Sequence, residues 1–209
     1  MEKTKIVYAE PEAYFPKEAL EAAGQNALFE TDRLLLRKIT QADFDDWFAI
    51  LSDAETMKHY PAPYDAAGVQ RWMDWTLKNY EQHGFGLWAL ILKETGEFIG
   101  DCGITMQNIH GMQLPEIGYH IHKAHWRKGY ASEAARKCME YAFETLHFPA
   151  VYSYMSAANA ASYGVALKNG MKFIEEYTDE SHDKTRVYRI TCDEWKAQNM
   201  EGKNENLFI

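Results

Sequence analysis

The chain has 209 residues, 46% of them hydrophobic and 14% aromatic, enough to bury a sizeable core in one main domain without metal or disulfide staples. Its formal net charge of −9 excludes a general affinity for DNA or RNA, which needs a basic surface, although a local basic turn stays compatible with it. Cys102, Cys138 and Cys192 lie far apart with no C-x-x-C spacing, which fits a reducing cytoplasm, and nowhere do about 18 apolar residues follow one another, so a soluble protein without a membrane span is expected.

Residues 1–27 mix Pro11, Pro16 and Gly24 with glutamates and scattered aromatics and read as an N-terminal arm or extension. A single domain is expected over 28–198, with a C-terminal tail at 199–209. Within the domain, Leu34-Leu35-Leu36 reads as a strand between Arg33 and Arg37, and Thr40 offers an N-cap to a helix through Trp47, Ile50 and Leu51. A second helix over about 65–83 keeps Val69, Trp72, Met73, Leu77 and Tyr80 on one buried face, and Gly84 and Gly86 end it. Three strands at 87–93, 98–106 and 114–122 then read as an antiparallel meander, with a turn at 94–96 and a loop at 108–111.

Ala131, Ala134, Ala135, Cys138, Met139, Ala142 and Leu146 mark a long helix whose small-residue face can pack close to a sheet. A strand at 151–155, a helix at 159–169 closed by Gly170, and a hairpin of 173–177 with 186–190 complete the domain. The fold class is α/β (α+β): a mixed, mostly antiparallel central sheet of about seven strands flanked by four or more helices.

Between the meander and the long helix stands His125-Trp126-Arg127-Lys128-Gly129-Tyr130-Ala131-Ser132, a short basic turn placed after a strand and before a helix. A helix start presents N–H groups with no intrahelical partner, and the aligned peptide dipoles add partial positive charge, so such a turn suits a pyrophosphate. Gly129 and Ala131 let the backbone come close to the anion. Other anion motifs fall away. Gly84-Phe85-Gly86-Leu87-Trp88-Ala89 imitates the dinucleotide fingerprint but follows a helix and precedes a strand, the reverse of what that geometry needs. The P-loop spacing and G-x-S-x-G are absent.

Four landmarks in order resemble the GNAT superfamily of acetyl-CoA-dependent N-acetyltransferases: 32–37 in the first strand, Glu116-Ile117-Gly118-Tyr119, the turn at 126–131, and 159–162 followed by 168–173. More narrowly, they are similar to the branch typified by the ribosomal-protein acetyltransferases RimJ and RimL. The resemblance spans about 28–196 and implies a GNAT-like sheet, acetyl-CoA (coenzyme A) as co-substrate and no metal. It implies as partner a primary amine on a protein N-terminus, a peptide or a small molecule, with no nucleic acid and no membrane, and it leaves a homodimer open. The alternative from another class is a non-catalytic acyl-CoA-binding or sensing module on the same fold.

In the superfamily the turn is written Q/R-x-x-G-x-G/A; here Trp126 stands first, Gly129 fourth and Ala131 sixth, and Arg127 stands where the RimJ-like branch often has glycine. The resemblance implies that Arg127, Lys128, Gly129, Tyr130, Ala131 and Ser132 hold the pyrophosphate, while the backbone of Tyr119, His120 and Ile121 pairs with pantetheine like an added strand. Asn159 would bond the pantetheine arm, and it is equally a natural helix N-cap.

Glu116 lies where the superfamily often places a base, acting directly or through water; an ordinary surface-strand glutamate is the plain alternative. His120 and His122 alternate with it at strand period and compete as bases. The three also make an E-x-x-x-H-x-H zinc spacing, though no fourth ligand is evident and a bulge at Gly118 would separate them. Many relatives carry a proton-donating tyrosine seven residues after the asparagine, where this chain has Ala166; the likeness to RimL-like enzymes implies Ser162 as the substitute acid, with a structural place on a short helix as the plain alternative and Tyr163 one helix step of about 100° away. Trp47, Tyr60, Tyr64, Trp72 and Trp75 are expected on the acceptor side, most of them in the core.

Overall fold

The computed structural model describes residues 29–178 and 184–205; the arm expected over 1–27 lies outside them. Eight strands, β1 (Phe29–Glu30), β2 (Leu34–Lys38), β3 (Leu87–Leu92), β4 (Phe98–Ile109), β5 (Met112–Ile121), β6 (Ala150–Ser156), β7 (Lys172–Tyr177) and β8 (Thr185–Thr191), form one sheet in the order β1-β2-β3-β4-β5-β6-β8-β7. Among the described residues five α-helices flank it: α1 (Phe44–Leu51), α2 (Ala66–His83), α3 (Tyr130–Glu144), α4 (Ala160–Lys168) and α5 (Cys192–Glu205). All neighbouring strands are antiparallel except β5 with β6. The mixed class is the one read from the residues, with one strand more. Strand β1, which pairs Phe29 with Leu36 and Glu30 with Leu35, is too short to show a period.

Local chemistry starts the helices where expected. The Asp65 carboxylate accepts from the Gly68 N–H at 2.7 Å and opens α2. Thr40 caps a 3₁₀ turn at Gln41–Asp43 ahead of α1, and its N–H and hydroxyl donate to Asp43 at 2.8 and 3.0 Å. Arg37 approaches the same carboxylate with both terminal nitrogens, at 2.8 and 2.6 Å.

Two expected boundaries move. The loop at 108–111 shrinks to His110-Gly111, because both residues take positive φ (49° and 82°) in the turn geometry that follows the strands' own twist. Helix α5 runs past residue 198 to Glu205, so the segment expected as a tail begins helical; residues 206–209 lie outside the described part. Among the described residues, no helix is long and apolar enough to cross a membrane.

Alternation along the described strands sorts apolar residues into two larger cores, and a smaller third cluster gathers Ile109, Leu114, Ala150, Tyr152 and Val187. Leu34, Leu36, Trp88, Leu90, Cys102, Ile104 and Ile117 pack on one face against Ala134, Ala135, Cys138 and Ala142 of α3. Leu87 and Ala89 turn the other way, to Trp47 and Leu51 of α1 and Val69 and Met73 of α2. Each fully buried large side chain contributes roughly 1.5–3 kcal/mol. The close fit of α3 brings the buried sulfurs of Cys102 and Cys138 to 3.6 Å. The feature that positions the site is a mismatch between neighbours: β5 and β6 pair at Glu116↔Tyr152 alone, and from Ile117 to Ile121 the β5 edge toward β6 has no strand partner.

Candidate active site

A cleft of about 790 Å³ opens in that gap, lined by residues 116–121 of β5, the end of β6, the starts of α3 and α4, and Tyr60 and Trp72 from the helical layer. Its size is that of a small-molecule site.

One end is the glycine turn. Gly129 has φ 86° and is the N-cap of α3, and the first turn of that helix leaves the N–H groups of Tyr130, Ala131 and Ser132 without helical partners at the cleft wall. Arg127 also adopts a left-handed conformation, φ 61°, which explains why a glycine suits that position. Trp126 donates from its indole nitrogen to the Ile121 carbonyl at 2.7 Å, and Lys58 lies 5.0 Å over its ring.

A clamp that sequence reasoning missed holds the turn. Glu133, in the first turn of α3, accepts from the Thr31 hydroxyl at 2.5 Å, the Arg33 N–H at 2.9 Å and Arg33 Nε at 2.7 Å. Arg33 Nη1 donates to the Lys128 carbonyl at 2.9 Å, and its guanidinium lies 4.5 Å over the Tyr130 ring. Burial alone would raise the Glu133 carboxyl; the bonds from Thr31 and Arg33 outweigh it and hold the group below the ordinary carboxylate range. Arg127, Gly129, Tyr130, Ala131 and Ser132 line the cleft, whereas Lys128 is exposed and is not among the lining residues. Asn159 also lines it while capping α4, its Oδ1 accepting from the Ser162 N–H at 3.1 Å.

The other end is made of side chains. The register of β4 and β5 runs unbroken through Gly118, without a bulge, setting Asp101 opposite His120 and Thr105 opposite Glu116. Glu116 accepts from the Thr105 hydroxyl at 3.3 Å, and a Cβ at Gly118 would come within 3.2 Å of its carboxylate, so the glycine keeps that carboxylate uncovered. Burial pushes the Glu116 carboxyl up to about 7, against the opposing pull of Thr105 and His120.

His120 Nδ1 lies 3.0 and 3.1 Å from the two Asp101 oxygens, and its Nε2 lies 2.7 Å from the Tyr60 hydroxyl. Trp47 donates its indole N–H to Asp101 at 2.7 Å. Burial disfavours the charged imidazole, but Asp101 and then Glu116 outweigh it and raise its pKa. Asp101 had one visible signal, a carboxylate amid the apolar run 98–104, where burial demands a partner.

His122 leaves this group: it follows the end of β5, with its ring 6.2 Å from that of His125. Among the described residues, no three His, Cys, Asp or Glu side chains gather to hold a metal. The Tyr119 hydroxyl donates to the Ser162 carbonyl at 2.9 Å and lies 3.0 Å from its Oγ. Tyr163 turns away from the cleft, stacked on Tyr188 at 6.3 Å with Arg186 over its ring. Of the five aromatics expected on the acceptor side, Tyr60 and Trp72 line the cleft, Trp47 is core, and Tyr64 and Trp75 stack on Trp72.

A family model described as "Acetyltransferase (GNAT) domain" matches residues 33–172. The protein named "Uncharacterized protein YkkB" of Bacillus subtilis (strain 168) is 38% identical over 144 residues, covering 68% of this chain and 84% of that one. Among solved structures, the acetyltransferase from Agrobacterium tumefaciens str. C58 is 28% identical, with a TM-score of 0.66 over 90% of this chain and 99% of that one. Mycobacterium smegmatis RimJ in complex with CoA-disulfide is 18% identical, a likeness of fold, with a TM-score of 0.67 over 82% of this chain and 90% of that one.

Proposed function

Because the chain belongs to the GNAT acetyltransferase family, we propose that it moves an acetyl group from acetyl-CoA to a primary amine by direct attack in a ternary complex. One observation carries this reading: a single cleft joins the open N–H groups at the start of α3 to a carboxyl raised to about 7, along a strand edge that has no partner.

The coenzyme pyrophosphate binds the amides of residues 129–132. Pantetheine lies along β5 at Ile117 and Tyr119 and meets the Asn159 side-chain amide; Trp126 already occupies the Ile121 carbonyl. Glu116 takes a proton from the acceptor ammonium, a task matched to a pKa near the operating pH. The neutral nitrogen attacks the thioester carbonyl, and a backbone N–H of the strand near Ile121 holds the oxyanion. Collapse breaks the C–S bond, and the leaving thiolate is protonated through the Ser162 hydroxyl, which passes on a proton shed by the nitrogen and ends neutral; that hydroxyl is 3.0 Å from that of Tyr119.

Trp126 at the first turn position and the shared fold with RimJ support the RimJ/RimL-like branch, and so a protein N-terminus, peptide or small amine as acceptor. Buried free thiols support a cytoplasmic setting. Ala166 in place of a tyrosine favours the second reading, an acyl-CoA-binding module without turnover. Thiol release from acetyl-CoA across a panel of amines and peptides separates the two. Turnover on any acceptor is expected; tight coenzyme binding with no turnover on all of them would sink the enzyme reading.

A further inference from the structure

We propose that Tyr60, His120 and Asp101 form a proton relay at the acceptor end of the cleft, in which the Tyr60 oxygen touches the acceptor nitrogen and His120 receives the proton. The relay rests on the transferase reading above and adds to it a need that Glu116 alone leaves unmet. An alkylammonium carries three N–H bonds and the product amide one, so the nitrogen sheds two protons while the C–N bond forms and the C–S bond breaks. One proton ends, in net terms, on the coenzyme sulfur and the other leaves the site. Two proton acceptors beside the nitrogen serve this better than one.

Geometry assigns the order of the relay. Asp101 is 0% exposed, its Oδ2 accepts from the Trp47 indole, and both its oxygens lie within 3.1 Å of His120 Nδ1, so it stands as a hydrogen-bond acceptor on that side of the ring. The Nδ1 then carries the hydrogen, and the lone pair of Nε2 receives the Tyr60 hydroxyl at 2.7 Å. Tyr60 is 39% exposed and lines the cleft, so its proton is committed inward while its oxygen still offers a lone pair to the substrate. Acceptor, base and orienting carboxylate follow the logic of a nucleophile–base–carboxylate triad, with the hydroxyl acting as a proton conduit and no covalent intermediate.

In the step itself, the amine proton moves to the Tyr60 oxygen as the Tyr60 proton moves to His120 Nε2. The imidazolium so formed faces Asp101 from β4 and Glu116 from its own strand. Tyr60 approaches from the segment between α1 and α2, whose His59 lines the same cleft, and the Trp72 ring of α2 meets the imidazole edge-on at 6.2 Å.

Tyr60→Phe tests the relay in the full chain, because it removes one oxygen from a half-exposed ring and spares the buried Asp101. With acetyl-CoA and the best amine of the panel, kcat is expected to fall tenfold or more with KM for acetyl-CoA unchanged, and the pH dependence of kcat between 6 and 8 to change shape. In ¹⁵N-histidine spectra, His120 is expected as the Nδ1–H tautomer, with its Nε2 resonance moved by Tyr60→Phe and its titration midpoint lowered by Asp101→Asn. An Nε2–H tautomer in the unmodified chain, or a Tyr60→Phe profile that superimposes on the parent, overturns the relay while the transferase reading stands. Coenzyme binding with no amine turned over overturns both.

Discussion

The end of the cleft proposed for the coenzyme is built from backbone, while the end proposed for the acceptor is built from side chains, so the two are expected to answer mutation in opposite ways. At the first, the proposed working groups are the amides of residues 129–132, and a helix start supplies them whatever side chains it carries, provided the chain turns correctly at Gly129. Damage there comes from adding atoms. At the second, the roles proposed for Glu116, His120, Asp101 and Tyr60 rest on particular oxygens and nitrogens, so damage is expected from removing them. A family can therefore keep one donor while its members change acceptors.

The largest expected effect is at the acceptor end. Glu116→Gln should lower kcat by about 10²–10³. In the parent, the rate falls as the pH drops below about 7, where this base gains its proton, and the variant loses that limb; a thiol-release pH profile checks both. Turnover and profile unchanged would remove Glu116 from the chemistry.

Next comes the coenzyme end. Gly129→Glu adds a side chain at φ 86°, where left-handed backbone costs an L-residue about 1–2 kcal/mol, and puts a negative charge beside the pyrophosphate. Coenzyme A affinity, followed by calorimetry, should weaken about 30-fold, equal to about 2 kcal/mol. Equal affinity would mean that the cradle lies elsewhere.

A smaller effect has the opposite sign and sets activity against stability. A carboxyl raised from 4.5 to about 7 makes the native state bind more protons than the unfolded chain between those values, so its contribution to stability declines as the pH rises through that window. Glu116→Gln removes the penalty. It should stabilise the fold at pH 8 by on the order of 1 kcal/mol, allowing for water in the open cleft, and by nothing below about pH 4. Urea unfolding at the two pH values reads the difference.

The smallest effect is at Arg127. Replacing it by glycine relieves about 1 kcal/mol of left-handed strain, and glycine's backbone entropy returns most of it, so the net change should stay under about 0.5 kcal/mol. Coenzyme affinity in Arg127→Gly then reports the guanidinium's own part, an expected loss of under about tenfold at an exposed charge. A larger loss would mean that this end also depends on a side chain.

Legibility in the sequence follows the distance along the chain over which a feature is written. Helix α2 was readable because Asp65, the period of Val69, Trp72 and Met73, and Gly84 all fall within one segment. The geometry of the glycine turn was readable for the same reason, because strand, turn and helix start follow one another closely along the chain. The hairpin at His110-Gly111 was overestimated as a loop because asparagine, histidine and glycine together read as a wider turn than two positive φ values require. Ser162 and Tyr163 were offered together, and one helix step divides them, with Ser162 facing the cleft and Tyr163 facing Tyr188. Tyr119 was expected through its backbone, yet its hydroxyl also reaches Ser162 across β5 and α4.

By itself, the sequence determined the class of sheet, the order of its main elements, the family and the strand–turn–helix geometry around Gly129, because hydrophobic period, caps and turn residues act over a few positions. Only the tertiary structure decided the clamp of Thr31 and Arg33 on Glu133, the parting of β5 from β6, and the gathering of Asp101, His120 and Tyr60. The reason is physical: these partners stand tens of residues apart, and strand register, helix seating and burial bring them within hydrogen-bond distance. No local pattern of residue types encodes that distance.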